Sequence, residues 1–207
     1  MLDGYVSEKE QLESIAKWWK ENGKWLITAI VIGLLLGFGW RYFHRIEMRR
    51  LENASMIYQS VLQADQQKQL TTSQGGAFIL MKNFPKTPYA SLAALLFAQE
   101  AISQNQFTVA LTKLNWVIQH AKSVRQKQIA RIAAARIFLS QNNTDAALKM
   151  LSVVNDQAFM PLIYWVKGDV AAKMGDAQLA EKNYQKAKTG LADFPPAMNL
   201  LNQLIAN

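Results

Sequence analysis

Residues 164–188 read YWVKGDVAAKMGDAQLAEKNYQKAK, and this stretch decides the fold. Apolar and small side chains recur at helical intervals on both sides of a polar turn at Gly175-Asp176, so the segment reads as two short helices folded into a hairpin. Gly168, Ala180, Tyr184 and Ala187 set small residues against one aromatic ring. Helices cross closely only where a small side chain faces a bulky one, so these four positions are expected to form the seam of the hairpin.

The pattern recurs upstream. Polar turns at Asn105-Gln106-Phe107 and Asn142-Asn143-Thr144-Asp145 each precede a second helix that opens near an alanine, Ala110 and Ala147, as Gly175-Asp176 precedes Ala180. The three alanines stand 37 and 33 residues apart. That brackets the 34-residue period of tetratricopeptide repeats, in which each helical hairpin buries its face against the next. The seam positions correspond to Ala135, Ala147, Leu151 and Val154 in the second copy and to Ala98, Ala110, Leu114 and Val117 in the first. Lys167 replaces the usual leucine before Gly168, and the proline near each repeat's end is absent, so the repeats are degenerate. The expected fold class is all-α.

Toward the N-terminus, a last helical stripe of Leu51, Ala54, Tyr58 and Val61 is expected to run to about Lys68. Thr71 to Gly76 then reads as a break, followed by a short apolar helix from Ala77 to Phe84 that ends at Pro85. Beyond the third repeat, Phe194-Pro195-Pro196 opens an expected capping helix with Met198, Leu201, Leu204 and Ile205 on one side.

Residues 25–43 differ in kind from all of this. From Trp25 to Trp40 the run WLITAIVIGLLLGFGW carries no charge. At ~1.5 Å per residue it reaches about 24 Å, short of a ~30 Å hydrocarbon core, and Lys24, Trp25, Trp40, Arg41 and Tyr42 are the snorkelling cations and interfacial aromatics that extend it. A buried core helix is the competing reading, but these flanks favour a single transmembrane helix. It starts after five acidic residues and ends without a small-x-small site, so an uncleaved signal anchor is expected. Gly33 and Gly37 form a small-xxx-small pair that would admit a second helix. Ser7-Glu8-Lys9-Glu10 reads as a capping box before Leu12, Ile15, Ala16 and Trp19, an amphipathic surface helix expected to stop at Asn22-Gly23. The expected organisation is therefore an N-terminal segment (1–24), a transmembrane helix (25–43) and a repeat domain (44–207).

Charge excludes more than it assigns. The net charge of +8 divides into −1 over residues 1–24, +2 over 41–52 and +7 over 53–207. Four lysines precede the anchor and four arginines follow it, so the positive-inside count is a tie. There is no cysteine, which removes disulfides, thiolate metal sites and thiol nucleophiles. His44 and His120 have no second histidine nearby, no acid occurs between Glu100 and Asp145, and Gly75-Gly76 lacks the context of a phosphate loop. No catalytic, cofactor or metal site is expected, and the chain reads as a non-enzyme.

The acid-free stretch contains Lys113, Lys122, Arg125, Lys127, Arg131 and Arg136. It reads as a solvated basic face, with anionic headgroups or an acidic client as functional alternatives and nucleic acid last. The repeat alignment turns Leu95 and Gln99, Ile132 and Arg136, and Trp165 and Asp169 toward a concave face, a candidate partner-binding groove, although Leu95, Ile132 and Trp165 also suit a core.

Glu21-Asn22-Gly23-Lys24 before the anchor, Gly39-Trp40-Arg41-Tyr42 at its end, Tyr89-Ala90-Ser91-Leu92-Ala93 opening the first repeat, and the degenerate repeats together resemble the YfgM family, ancillary subunits of the bacterial SecYEG translocon. The resemblance spans nearly the whole chain and rests on the arrangement. It implies an inner-membrane protein with residues 1–24 cytoplasmic and the repeats periplasmic. It also implies association with the translocon, with a membrane-anchored folding factor of the PpiD type and with exported polypeptides. A regulatory tether for a cytoplasmic signalling protein and a self-associating structural membrane protein are the alternatives.

Overall fold

The computed structural model describes residues 8–191, with side chains from Gln11 onward. Among these residues the chain is helical: α1 (Glu8–Gln66), α2 (Leu70–Asn83), α3 (Pro88–Ser103), α4 (Phe107–His120), α5 (Val124–Ser140), α6 (Thr144–Ser152), a 3₁₀ turn (Gln157–Phe159), α7 (Met160–Lys173) and α8 (Ala177–Gly190). The expected capping box needs Ser7, and the expected last helix begins at Phe194; both lie outside the described residues. The chain forms two compact units, Met1–Leu51 and Glu52–Asn207.

In the first unit, α1 carries an 18-residue window of mean hydropathy 1.8, none of it buried. Unburied apolar surface of that length suits a bilayer, and this is the candidate membrane span. The expected stop at Asn22-Gly23 is a correction: α1 passes through both residues. A glycine inside a helix costs only about 1 kcal/mol. Here it also makes room, since a Cβ on Gly23 would lie 3.3 Å from the Trp19 indole.

The second unit is a series of helical hairpins. Their second helices begin at Leu70, Phe107, Thr144 and Ala177, at intervals of 37, 37 and 33 residues. The sequence pattern identified the last three; the end of α1 and α2 make one more, ahead of them. The break expected at Thr71–Gly76 is a second correction, because those residues lie within α2 and the chain turns instead at Gln67–Gln69. Lys68 there adopts φ +58°, as Asn105 (+57°), Asn142 (+61°) and Gly175 (+79°) do in the other hairpins. Each left-handed residue ends a helix the same way: the next residue's N–H donates to a carbonyl five positions back, Gln69 to Ala64 (2.8 Å), Gln106 to Ala101 (2.8 Å), Asn143 to Phe138 (2.9 Å) and Asp176 to Ala171 (3.0 Å).

The seams are buried in the first three hairpins, and in the last one only Tyr184 is partly exposed. Ala98, Ala110, Leu114 and Val117 are buried, as are Ala135, Ala147, Leu151 and Val154, and so are the positions 37 residues before the first set: Val61, Ser73, Ala77 and Leu80. In the last hairpin a Cβ on Gly168 would stand 2.4 Å from the Tyr184 ring, closer than side-chain carbons approach, so only glycine seats that tyrosine. In the first hairpin the sizes are exchanged. Val61 occupies the Gly168 position, and Gly76 on α2 leaves the space that Val61 Cγ2 fills, 2.5 Å from where a Cβ would be. Gly76 permits close helix contact rather than ending a helix.

Two polar devices hold the stack. Gln128, buried in α5, donates from Nε2 to Asn155 Oδ1 (2.9 Å) and accepts the Asp156 N–H at Oε1 (3.3 Å), pinning the loop after α6. Ser73, standing where other repeats have alanine, donates to Glu100 Oε1 at 2.6 Å. Glu100 itself stands where the later repeats have Ile137 and Val170, and it is 5% exposed. Burial raises its carboxyl above the usual range, with hydrogen bonds from Ser73 and Gln74 opposing and the nearby Asp65 charge adding to the rise.

Candidate functional site

The first helices of the hairpins line two hollows. One, about 460 Å³, is bounded by Ile102, Phe107, Ile129, Ile132, Ala133, Arg136, Ile137, Ser140, Phe159 and Leu162. The other, about 390 Å³, is bounded by Tyr58, Leu92, Leu95, Leu96, Ala98, Gln99, Ile102, Leu114, Ile129 and Ala133. Ile102, Ile129 and Ala133 belong to both, so the hollows make one apolar trough across α3 and α5. Volumes of this order suit side chains of a bound segment.

Repetition explains the lining. Leu92, Ile129 and Leu162 occupy the same repeat position, and so do Tyr58, Leu95 and Ile132 one turn later, because 37- and 33-residue steps superpose successive first helices. The row Leu92–Ile129–Leu162 escaped sequence reading: an apolar residue near a helix start looks like one more core position. Its signal was available in the same alignment, one turn before Leu95 and Ile132. Ile129 is 41% exposed, the openly apolar floor of the trough.

Of the six groove residues expected from sequence, Leu95 and Gln99 line one hollow and Ile132 and Arg136 the other. Trp165 and Asp169 sit differently. Trp165 is buried against Ala187 and Leu191, because α8 packs over it, and the Arg136 guanidinium stands over its ring at 5.4 Å. The Asp169 carboxylate accepts a 2.9 Å hydrogen bond from the Tyr184 hydroxyl. Burial raises the Asp169 carboxyl, against the opposing effects of Tyr184 and Arg136; burial, followed by the Asp169 contact, pushes the Tyr184 phenol upward. The pair ties α7 to α8 beside the seam at Gly168.

The remaining sequence candidates lie apart from the trough or outside its lining. His120 stacks on Trp116 (4.7 Å), with Nδ1 2.9 Å from the Trp116 carbonyl oxygen. His44 is exposed on α1. Among the described residues no three His, Cys, Asp or Glu side chains are grouped to hold a metal ion. Around Gly33 and Gly37, a Cβ would meet no atom within 4 Å, so both present open helix surface. Lys24 lies on the exposed face of α1, as do Trp25, Trp40, Arg41 and Tyr42.

Comparison with known proteins adds three findings. A family model described as a tetratricopeptide repeat-like domain matches residues 16–202. An ancillary SecYEG translocon subunit of Aggregatibacter actinomycetemcomitans is 30% identical over 186 residues, covering 88% of this chain and 89% of the relative. The subunits of the same description from Escherichia coli K12 (24% identical, 100% of this chain and 98% of the relative) and Neisseria gonorrhoeae (27%, 90% and 90%) match over similar extents. No solved structure matches the chain.

Proposed function

Because this chain belongs to the tetratricopeptide repeat-like family of ancillary SecYEG translocon subunits, we propose that it is a membrane-anchored scaffold whose repeat trough holds a protein partner beside the SecYEG translocon. The observation that carries the reading is the trough: apolar residues of equivalent repeat positions, partly buried Leu92 and exposed Ile129, line one face. The function needs no chemistry from the chain, and the trough supplies shape and apolar contact instead.

The finer reading is chaperone-like. The occupant is an exported polypeptide or a PpiD-type folding factor, and the repeat unit stands in the periplasm with the residues before the anchor in the cytoplasm. The family resemblance supports this orientation; the charge tie across the anchor is neutral. As the chain lacks cysteine, Gln185→Cys gives a single label site on exposed α8. Reaction with a membrane-impermeant maleimide in intact spheroplasts is expected, and protection until lysis would reverse the assignment.

The docking claim is tested by retention of folding factors and exported polypeptides on the tagged full chain extracted from bacterial membranes. Ile129→Asp should lower retention several-fold while Gln185→Asp leaves it unchanged. Unchanged retention with Ile129→Asp would remove the trough from the contact. The open faces of Gly33 and Gly37 support a second contact, with another helix inside the bilayer. Replacing both with leucine should reduce association measured in membranes, whether with a second copy or with the translocon.

A further inference from the structure

Building on the trough reading above, we propose that its occupant is an amphipathic α-helix of a partner protein, with an apolar stripe edged by aspartate or glutamate.

The helical form follows from the walls. Leu92, Leu95, Ile102, Ile129 and Ile132 offer no hydrogen bonds, and the polar side chains along the lining are Tyr58, Gln99, Arg136 and Ser140. An extended segment laid there would bury backbone N–H and C=O groups with few partners, at a cost of about 1–3 kcal/mol for each group left unpaired. A helix satisfies its backbone internally and presents only side chains. The walls contribute no sheet edge to pair with a strand, the usual alternative.

The charge follows from α5. Arg125, Ile129, Ile132 and Arg136 fall at intervals of four, three and four residues, on one helix face. Arg125 and Arg136 are both exposed, about 16 Å apart along the axis, and they bracket the apolar floor. No aspartate or glutamate occurs from Ala101 to Thr144, and Asp156, whose backbone N–H meets Gln128 on α5, has its carboxylate engaged by the Ala158 N–H. The acid that does reach Arg136 is Asp169, and its carboxylate is already engaged by the Tyr184 hydroxyl. Carboxylates along the rim of a bound helix would meet both arginines at once.

Other occupants fit less well. The chain's own residues 192–207 contain Asp193 as their one acid, so they cannot supply the matching rim. A flat anionic membrane would meet Arg125 but not the recessed leucines and isoleucines.

The test uses the full chain in nanodiscs of zwitterionic lipid and synthetic peptides of about 18 residues, five turns of helix. One peptide carries a leucine stripe with glutamate flanks, the second the same stripe with lysine flanks, and the third the glutamate composition interrupted by prolines. Fluorescence anisotropy should show the glutamate helix binding about tenfold or more tighter than either other peptide, a gap of one decade in Kd. Ile129→Asp should abolish that binding. Arg125→Glu, an exposed substitution that spares the core, should shrink the preference, and Arg125→Glu with Arg136→Glu should turn it toward the lysine helix. Equal binding of the glutamate and lysine helices, lost in Ile129→Asp, would overturn the acidic partner while leaving the trough as a docking site. Equal binding of the proline peptide would overturn the helical form. Binding indifferent to Ile129→Asp would overturn both this inference and the trough reading. Displacement of the glutamate helix by anionic vesicles, with its binding insensitive to Ile129→Asp, would assign the arginines to lipid. Self-association of the chain lost in Ile129→Asp, with no peptide bound, would assign the trough to a second copy.

Discussion

The first and last hairpins of the repeat unit close the same crossing with their large and small residues exchanged. In the last, Gly168 on the first helix receives Tyr184 from the second; in the first, Val61 stands at the Gly168 position and Gly76 on the second helix makes the room. The crossing therefore needs a small residue facing a larger one without fixing which helix carries the small one. The seams also differ in polarity. Beside the first hairpin Ser73 bonds Glu100, where the later repeats have alanine facing isoleucine or valine. The joint is only half satisfied, because Glu100 Oε1 accepts from Ser73 while the buried Oε2 has no partner, which adds to the cost of its charged form.

The equivalence of the two hairpins is broken most forcefully at Leu80, which is fully buried in α2. If the first hairpin belongs to the stack, Leu80→Ala costs about 2–5 kcal/mol in chemical unfolding of the detergent-solubilised chain, as large-to-small core changes do. A loss well under 1 kcal/mol would detach α2 from the core. The exchange of sizes is sharpened next. Gly168→Ala pushes a Cβ into the Tyr184 ring and should cost about 1–3 kcal/mol. Adding Tyr184→Leu recreates the Ala135–Leu151 pairing of the preceding hairpin but also removes the hydrogen bond to Asp169, so the double variant is compared with Tyr184→Leu alone, on which Gly168→Ala should cost under about 1 kcal/mol. An equal cost of Gly168→Ala with and without the tyrosine would mean that the seam is not what fails.

The polar joint gives an effect of slope. Because the folded state raises the Glu100 carboxyl, folding takes up a proton there between the ordinary carboxylate value and the raised one. The contribution is present below about pH 4.5 and is lost as pH rises through the raised value. Glu100→Gln keeps an acceptor for Ser73 without the charge, so its melting temperature should exceed that of the parent at neutral pH and converge with it in acid. A variant less stable than the parent at neutral pH would show that the ionised carboxylate is the form the joint favours. The smallest expected effect concerns the turns, where Lys68 and Gly175 share a left-handed backbone. Lys68→Gly should stabilise by about 0.5–1 kcal/mol and Gly175→Lys should destabilise by a similar amount, since a lysine pays a steric cost in that conformation.

These pairs also explain which parts of the fold could be read from sequence. The last hairpin was visible because Gly168, Ala180, Tyr184 and Ala187 match the familiar distribution of small and large. The first was hidden in part. The end of the α1 stripe near Lys68 was legible, close to the observed end at Gln66, but Gly75-Gly76 looks like a break when only local propensity is considered, so the next helix was read from Ala77 instead of Leu70. Asn22-Gly23 misled in the same way, for a glycine marks close packing as readily as it marks a helix end. The membrane span was plain from an unbroken apolar run with aromatic edges. At the trough, the repeat register placed Leu95, Gln99, Ile132 and Arg136 on the lining, while Trp165 went to the core because Ala187 and Leu191, on and just after α8, cover it. Which apolar residues of a helix stay open depends on what the next hairpin covers, and a single helix's periodicity does not carry that information.

The trough is the working face of the repeat unit in the proposed function. The most direct test places a photoreactive amino acid at Ile129, on the trough floor, and separately at Gln185, on exposed α8, in the full chain within native bacterial membranes. Ile129 should crosslink to a SecYEG component, a folding factor or an exported polypeptide, and Gln185 should yield little. Crosslinks of that kind from Gln185, with none from Ile129, would contradict the account.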